Sequence, residues 1–177
     1  MKQLARIFSA LVLLNIVAAI AALILLQSQS VPVAPIALEA VDRIIVEKST
    51  RRMILIQNGK TARIYRIALG SAPIGDKERQ GDGRTPEGVF RIDRKNAGSA
   101  YHLSLGLDYP QAADRVRANN AGYNPGGDIM IHGQPNALPM DAVIGHDWTA
   151  GCIAVSNAEI AEMFAATPIG TVVEVKP

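Results

Sequence analysis

The chain opens with one long apolar run and then breaks into short apolar stretches. Between Ile7 and Leu26 only Ser9 and Asn15 are polar. A helix over those positions would be about 30 Å long, the thickness of a hydrocarbon core. Lys2 and Arg6 precede the run and no acid does, which favours a cytoplasmic N-terminus. The pattern predicts a transmembrane anchor. The alternative is a cleaved signal peptide, although its apolar region is usually only about 7–15 residues and Ser28-Gln29-Ser30 is a weak cleavage site. In both cases the rest of the chain is expected outside the cytoplasm. Residues 27–40, with Pro32 and Pro35, read as an extended spacer. The chain thus divides into a stub (1–6), an anchor or signal segment (7–26), a linker (27–40) and one domain (41–177).

Within the domain the apolar positions follow strand patterns. Asp42–Glu47, Arg52–Gln57 and Thr61–Leu69 read as successive strands, with Asn58-Gly59 as a tight hairpin turn. Residues 70–88 are rich in Gly, Pro and charge and predict a loop. Val89–Asp93 is a further strand. Residues 96–127 read as a mostly irregular insertion holding one short helix, Pro110–Asn119. Such an insertion either walls a substrate cleft or is a plain surface excursion. Asp128–Gly133 is a short strand, 134–150 a loop, and Cys152–Val155 another short apolar run. Ser156 and Glu159 form a capping box for a helix to about Ala166. Pro168 and Gly170 turn the chain into a last strand, Thr171–Val175. The expected class is mostly β with one or two short helices.

Composition narrows the function. The chain has 177 residues, 49% of them hydrophobic, which suits one domain with its own core. Of 18 basic residues, Lys2 and Arg6 precede the apolar run, leaving 16 against 16 acids beyond it. A formally neutral domain argues against nucleic acid as a partner. One cysteine excludes a disulfide scaffold. Metal binding is disfavoured, because His102, His132 and His146 are far apart and no ligand-type spacing exists; no cofactor is implied.

Cys152 follows Thr149-Ala150-Gly151. Glycine before a cysteine permits a turn in which two amides point at one oxygen. A thiol needs a base, and His132, at the end of an apolar strand before Gly133, is best placed. Should that strand lie beside the Cys152 strand, both side chains reach one cleft. The plainer alternatives are a small buried cysteine and a hydrogen-bonded packing histidine.

Three segments in order alter that balance: Asp82–Phe90 (DGRTPEGVF), Ile129–Gly133 (IMIHG) and Thr149–Ile153 (TAGCI). Together they resemble the L,D-transpeptidase (YkuD) catalytic domain over roughly residues 41–176. Gly145–Asn157 also resembles a murein transpeptidase-like subgroup with alanine two places after the cysteine. The resemblance implies an L,D-transpeptidase-like β-sandwich or barrel, preceded here by the transmembrane or signal helix. It implies Cys152 as nucleophile, His132 as base, and the Gly133 carbonyl as orienter of the imidazole. Amides around Gly151 and Cys152 would hold the oxyanion, and Thr149 would support that loop or simply cap local backbone. Many members carry His or another polar residue where Ala150 stands, and most carry Arg or Asn where Ala154 stands. Substitute substrate contacts are then sought in His146, Asp147 and Trp148, the last being equally suited to covering the loop.

The implied substrate is the peptidoglycan stem peptide, cleaved between the L-centre of a diamino acid and the next D-residue. An amine acceptor would give a cross-link or a link to a wall-attached protein, and water would give hydrolysis. A non-catalytic wall-binding module is the alternative of another class. The implied location is the inner membrane, single-pass with the domain in the periplasm, or the periplasm itself after cleavage.

Overall fold

The structure is a computed structural model and describes residues 38–177. The predicted anchor and most of the spacer lie outside the described residues. Among the described residues no helix is long and apolar enough to cross a membrane.

Alternation of side chains builds the first layer. In β1 (Arg43–Glu47) Ile44 and Val46 turn inward, and in β2 (Arg52–Gln57) Met53 and Leu55 do the same. β1 and β2 pair antiparallel, and β2 pairs with β3 (Lys60–Arg66) through Asn58-Gly59, both at positive φ as a tight hairpin requires. The last strand, β8 (Val172–Lys176), returns beside β1 in parallel, with Ile44 opposite Val173. β4 (Gly88–Asn96) pairs antiparallel with β8, and β5 (Ser104–Leu107), β6 (Met130–His132) and β7 (Ile153–Ala154) follow. The resulting order is β3-β2-β1-β8-β4-β5-β6-β7.

This sheet curls until its two edges meet. Past β3 the chain runs along β7, where Ala68 N donates to Ala154 O at 2.9 Å and Ala154 N to Ala68 O at 2.8 Å. Gly70 bridges Thr149 in parallel: Ser71 N donates to Thr149 O at 2.9 Å and Thr149 N to Leu69 O at 3.1 Å. Two edges that would otherwise expose unpaired backbone groups thus satisfy each other. Helix α1 (Ala112–Asn120) lies in the long insertion, and α2 (Asn157–Ala166) packs against β5 and β6 through Ile160 and Met163. The Ser156 and Glu159 side chains cap α2 in both directions.

The mostly-β expectation and the two short helices hold. The insertion is less irregular than its sequence implies, because β5 sits inside it. All four β5 residues are buried, so no polar–apolar alternation marks the strand. Its Gly106 is a packing requirement, since a Cβ there would lie 2.6 Å from the Arg94 Cγ. β4 also runs three residues past Asp93, through a bulge between Ile92 and Arg94 that re-phases the alternation.

Leu105, fully buried in β5, is expected to be a keystone of this curl. Leu105→Ala should cost about 2–5 kcal/mol in urea denaturation, against about 1 kcal/mol for loss of the α2 cap in Ser156→Ala. A cost under about 1 kcal/mol for Leu105→Ala would contradict the assigned packing.

Candidate active site

The site arises where β6 and β7 run parallel. Ile131 stands opposite Ile153 and His132 opposite Ala154, and Val155 N donates to His132 O at 2.9 Å. Continuing that register backwards sets Cys152 opposite Met130, and the Met130 N–H indeed reaches Cys152 Sγ at 3.4 Å. Residues 130 and 132 share one face of a strand. The thiol and the imidazole therefore leave neighbouring strands on the same face, two residues apart, a diagonal of about 7–8 Å between Cα positions.

Burial and a single hydrogen bond fix the imidazole. His132 is only 3% exposed, and its Nδ1 lies 2.7 Å from the Gly133 carbonyl. A carbonyl only accepts, so Nδ1 carries the proton and Nε2 keeps a lone pair. Burial pushes the imidazole pKa down, and the Gly133 carbonyl offsets this only in part. Two aromatic rings enclose it: Tyr101 at 4.6 Å between centroids, tilted by 33°, and Trp148 at 5.6 Å, edge-on. Gly133 admits no side chain, because a Cβ would meet Asn157 Oδ1 at 2.5 Å and Tyr101 O at 3.0 Å. Its N–H donates to Tyr101 O at 3.0 Å, so the turn after His132 is held from both sides.

The thiol is half-buried. It donates toward Asp128 O at 3.4 Å and accepts from Met130 N–H at the same distance. Burial pushes its pKa up, and the Met130 amide counters only part of that. Both members of the pair therefore rest neutral.

Thr149 organises the turn before the cysteine. Its hydroxyl donates to Cys152 O at 2.7 Å and accepts Gly151 N–H at 3.1 Å. Of the two loop amides expected to face an oxyanion, the Gly151 amide is thus committed within the turn. Gly151 itself has φ +137°, and a Cβ would lie 2.7 Å from Arg84 O. The 70–88 loop therefore packs directly on this turn, and buried charges give it its shape. Lys48 Nζ binds Gly75 O at 2.6 Å, Thr85 O at 3.0 Å and Glu87 Oε1 at 2.7 Å. Asp82 accepts from Lys77 Nζ at 2.7 Å and from the amides of Glu78, Arg79 and Arg84 at 2.8–3.0 Å. Burial alone would raise the Asp82 pKa; these four donors outweigh it and hold the carboxyl at about 2.

The remaining candidates separate. Trp148 joins the imidazole. Asp147 is committed elsewhere: it pairs with Arg51 at 2.7 Å and accepts Leu69 N–H at 2.9 Å, which pins the loop rather than leaving a carboxylate for substrate. His146 and Ala154 line a neighbouring groove of about 500 Å³ together with Arg66 and Gln134. Tyr101 and the Asp128 carbonyl are additions that no motif announced, both lying outside the three recognisable segments. Among the described residues no cluster of metal-ligating side chains occurs.

Two consequences are measurable. Alkylation of the thiol by iodoacetamide in the free protein should follow an apparent pKa above the ordinary value of about 8.5; a value near 7 or below would reveal a thiolate–imidazolium pair and contradict a neutral one. His132, with its folded pKa depressed, contributes stability that is fully present above the unfolded value of about 6.5 and is lost as pH falls through the folded value, because the unfolded chain binds the extra proton. Urea denaturation at pH 7.5 and 5.5 should show this acid loss in the wild type and a smaller one in His132→Gln. Equal losses would assign it elsewhere.

The same architecture occurs in known proteins. The sequence profile of the L,D-transpeptidase catalytic domain (YkuD) matches residues 41–175. YafK of Escherichia coli K12 is 32% identical over 102 residues, covering 56% of this chain and 35% of that protein. YqjB of Bacillus subtilis 168 is 26% identical over 129 residues, covering 72% and 67%. Both are provisionally named L,D-transpeptidases. The crystal structure of the helical cell shape determining protein Pgp2 of Campylobacter jejuni superposes with TM-score 0.58 at 26% identity, over 81% of this chain and 51% of Pgp2. An L,D-transpeptidase of Xylanimonas cellulosilytica shares the fold, with TM-score 0.54 at 17% identity over 78% of this chain and 61% of that one. The chain spans about a third of YafK and about half of Pgp2. With the profile matched across nearly the whole described body, the chain belongs to the L,D-transpeptidase catalytic domain family.

Proposed function

We propose that this domain is a cysteine-dependent L,D-transpeptidase acting on peptidoglycan stem peptides through a thioester. What supports the proposal is the β6–β7 register, which sets Cys152 two residues from the partner of His132 along the neighbouring strand, together with the His132 Nδ1–Gly133 O hydrogen bond. Cys152 Sγ attacks the carbonyl of the L-centre that precedes a D-residue. Its proton passes to His132 Nε2, the nitrogen with the free lone pair. The developing oxyanion is held by the Cys152 amide, since the Gly151 amide serves Thr149. His132 then returns the proton to the departing amine, and a thioester remains on Cys152. An incoming amine completes transpeptidation and regenerates the thiol; water in its place gives hydrolysis.

A pair that rests neutral suits this order of events. The thiol gives up its proton only as the carbon–sulfur bond forms, which limits stray oxidation of an exported cysteine. Gly133 O plays the part that a carboxylate plays in other nucleophile–base systems, without adding a charge to a buried ring. The apolar run Ile7–Leu26 would keep the domain at the outer face of the cytoplasmic membrane, near its polymeric substrate.

The test is the product mixture from one defined muropeptide and a saturating amine acceptor, resolved by chromatography and mass spectrometry. Cross-linked or amine-capped product is expected, abolished in Cys152→Ala and slowed about 10²–10⁴-fold in His132→Ala. Free acid alone at saturating acceptor would make the enzyme a hydrolase. Unchanged binding to murein with no turnover in any condition would make it a wall-binding module.

A further inference from the structure

The bulge in β4 aims an arginine toward the cysteine. Ile92 pairs with Leu107 and Arg94 with Gly106, so Asp93 is the extra residue between them. Without that residue the pleat would turn Arg94 toward the core, as it does Ile92. With it, Arg94 stands on the face that carries His132 and Cys152. The pairing continues as one row across the sheet. Gly106 in β5 stands opposite Met130 in β6, and the β6–β7 register carried back one residue sets Met130 beside Cys152.

Gly106 is the gap through which the arginine passes. A Cβ there would lie 2.6 Å from Arg94 Cγ and 2.8 Å from its Cζ. The guanidinium crosses β5 over this glycine and reaches β6, where Nη2 donates to Asp128 Oδ1 at 3.0 Å and meets Met130 Sδ at 3.7 Å. Asp93 holds Nη1 at 2.8 Å. The two residues reached in this way are the two that grip the thiol: the Asp128 carbonyl and the Met130 N–H each lie 3.4 Å from Sγ. Asp128 has φ +53°, a left-handed conformation unfavourable for a residue with a side chain, and it follows Gly126-Gly127, which restrain the backbone little. An outside contact is needed to keep its carbonyl on the sulfur.

The ion pair is poorly suited to a purely structural role. The Arg94 side chain is 38% exposed and that of Asp128 91%, and pairs so open to water add little to stability. Its consequence falls on the sulfur instead. The Asp128 carboxylate opposes ionisation of the thiol, and Arg94 both neutralises it and adds a cation. The other charged group facing the thiol, Lys77, is paired with Asp82 at 2.7 Å, and His132 rests neutral.

We propose that Arg94 is a positioning residue for the nucleophile: from two strands away it holds Asp128 and Met130 so that their backbone groups seat the Cys152 thiol, and it neutralises the carboxylate beside the sulfur. Arg94 acts through these neighbours. The inference rests on Cys152 being the nucleophile proposed above, but on no particular substrate or acceptor.

The test needs no substrate. Cys152 is the single cysteine, so iodoacetamide labelling of the full-length protein between about pH 6 and 11, followed by intact mass, reads this thiol alone. Arg94→Ala should raise the apparent pKa by about 0.5 or more, slowing labelling at pH 8 at least about 3-fold, with the urea midpoint close to that of the wild type. Arg94→Lys, which keeps the cation but loses the planar fork, should fall between the two. Gly106→Ala keeps the charge and displaces the guanidinium. It should reproduce the Arg94→Ala shift, and adding it to Arg94→Ala should change nothing further. An unchanged or lowered pKa in Arg94→Ala, additive effects of the two substitutions, or slower labelling explained by an equal loss of fold stability would overturn the proposal. The expected shifts in a protein that turns over no stem peptide would support the positioning role and count against the chemistry alone.

Discussion

The parallel pairing of β6 with β7 is the constraint on which the site depends. It is a ladder of only two residue pairs, and a shift of one residue would send the imidazole and the thiol to opposite faces. Such a short ladder cannot hold its own register. It is fixed from outside: Ala154 exchanges both backbone hydrogen bonds with Ala68, and Gln134 Nε2 binds Val155 O at 2.6 Å. The curl of the sheet and the geometry of the site are therefore one feature. Closing the sheet edge to edge is what locks the two chemical groups together.

Electrostatics around the pair follow from the same closure. Enclosure by Tyr101 and Trp148 removes water from His132, so the ring stays neutral and basic at its open nitrogen. The thiol is likewise kept protonated by burial. The charges nearby are spent on architecture. Lys48 and Asp82 bind mostly backbone groups of the 70–88 loop, and that loop presses the Arg84 carbonyl against Gly151. A polar, glycine-rich stretch becomes a rigid wall because buried charges satisfy its backbone.

The sequence made the site more legible than the fold around it. Cys152 and His132 were candidates from local signals, a glycine before a cysteine and a histidine ending an apolar strand, whereas Gly133 and Thr149 entered through the family resemblance. The strands β1, β2 and β8 were visible as short apolar runs bounded by turns, and α2 through its capping box. The β5 strand was hidden because it is buried on both faces and interrupted by Gly106. Thr61–Leu69 read as one strand, whereas the ladder of β3 ends at Arg66 and the next residues bridge β7 instead. Asp147 looked available for substrate only because its partner, Arg51, lies 96 positions away. Tyr101 was missed for the same reason: its ring meets His132 and Trp148, both distant in the chain.

The most direct measurement is the intact mass of the protein quenched within milliseconds to seconds of mixing with a stem tetrapeptide. The account predicts a covalent adduct equal to the peptide less its terminal D-residue, on Cys152, released by hydroxylamine and absent in Cys152→Ala. Turnover at the wild-type rate by Cys152→Ala, with no adduct on either protein, would contradict it.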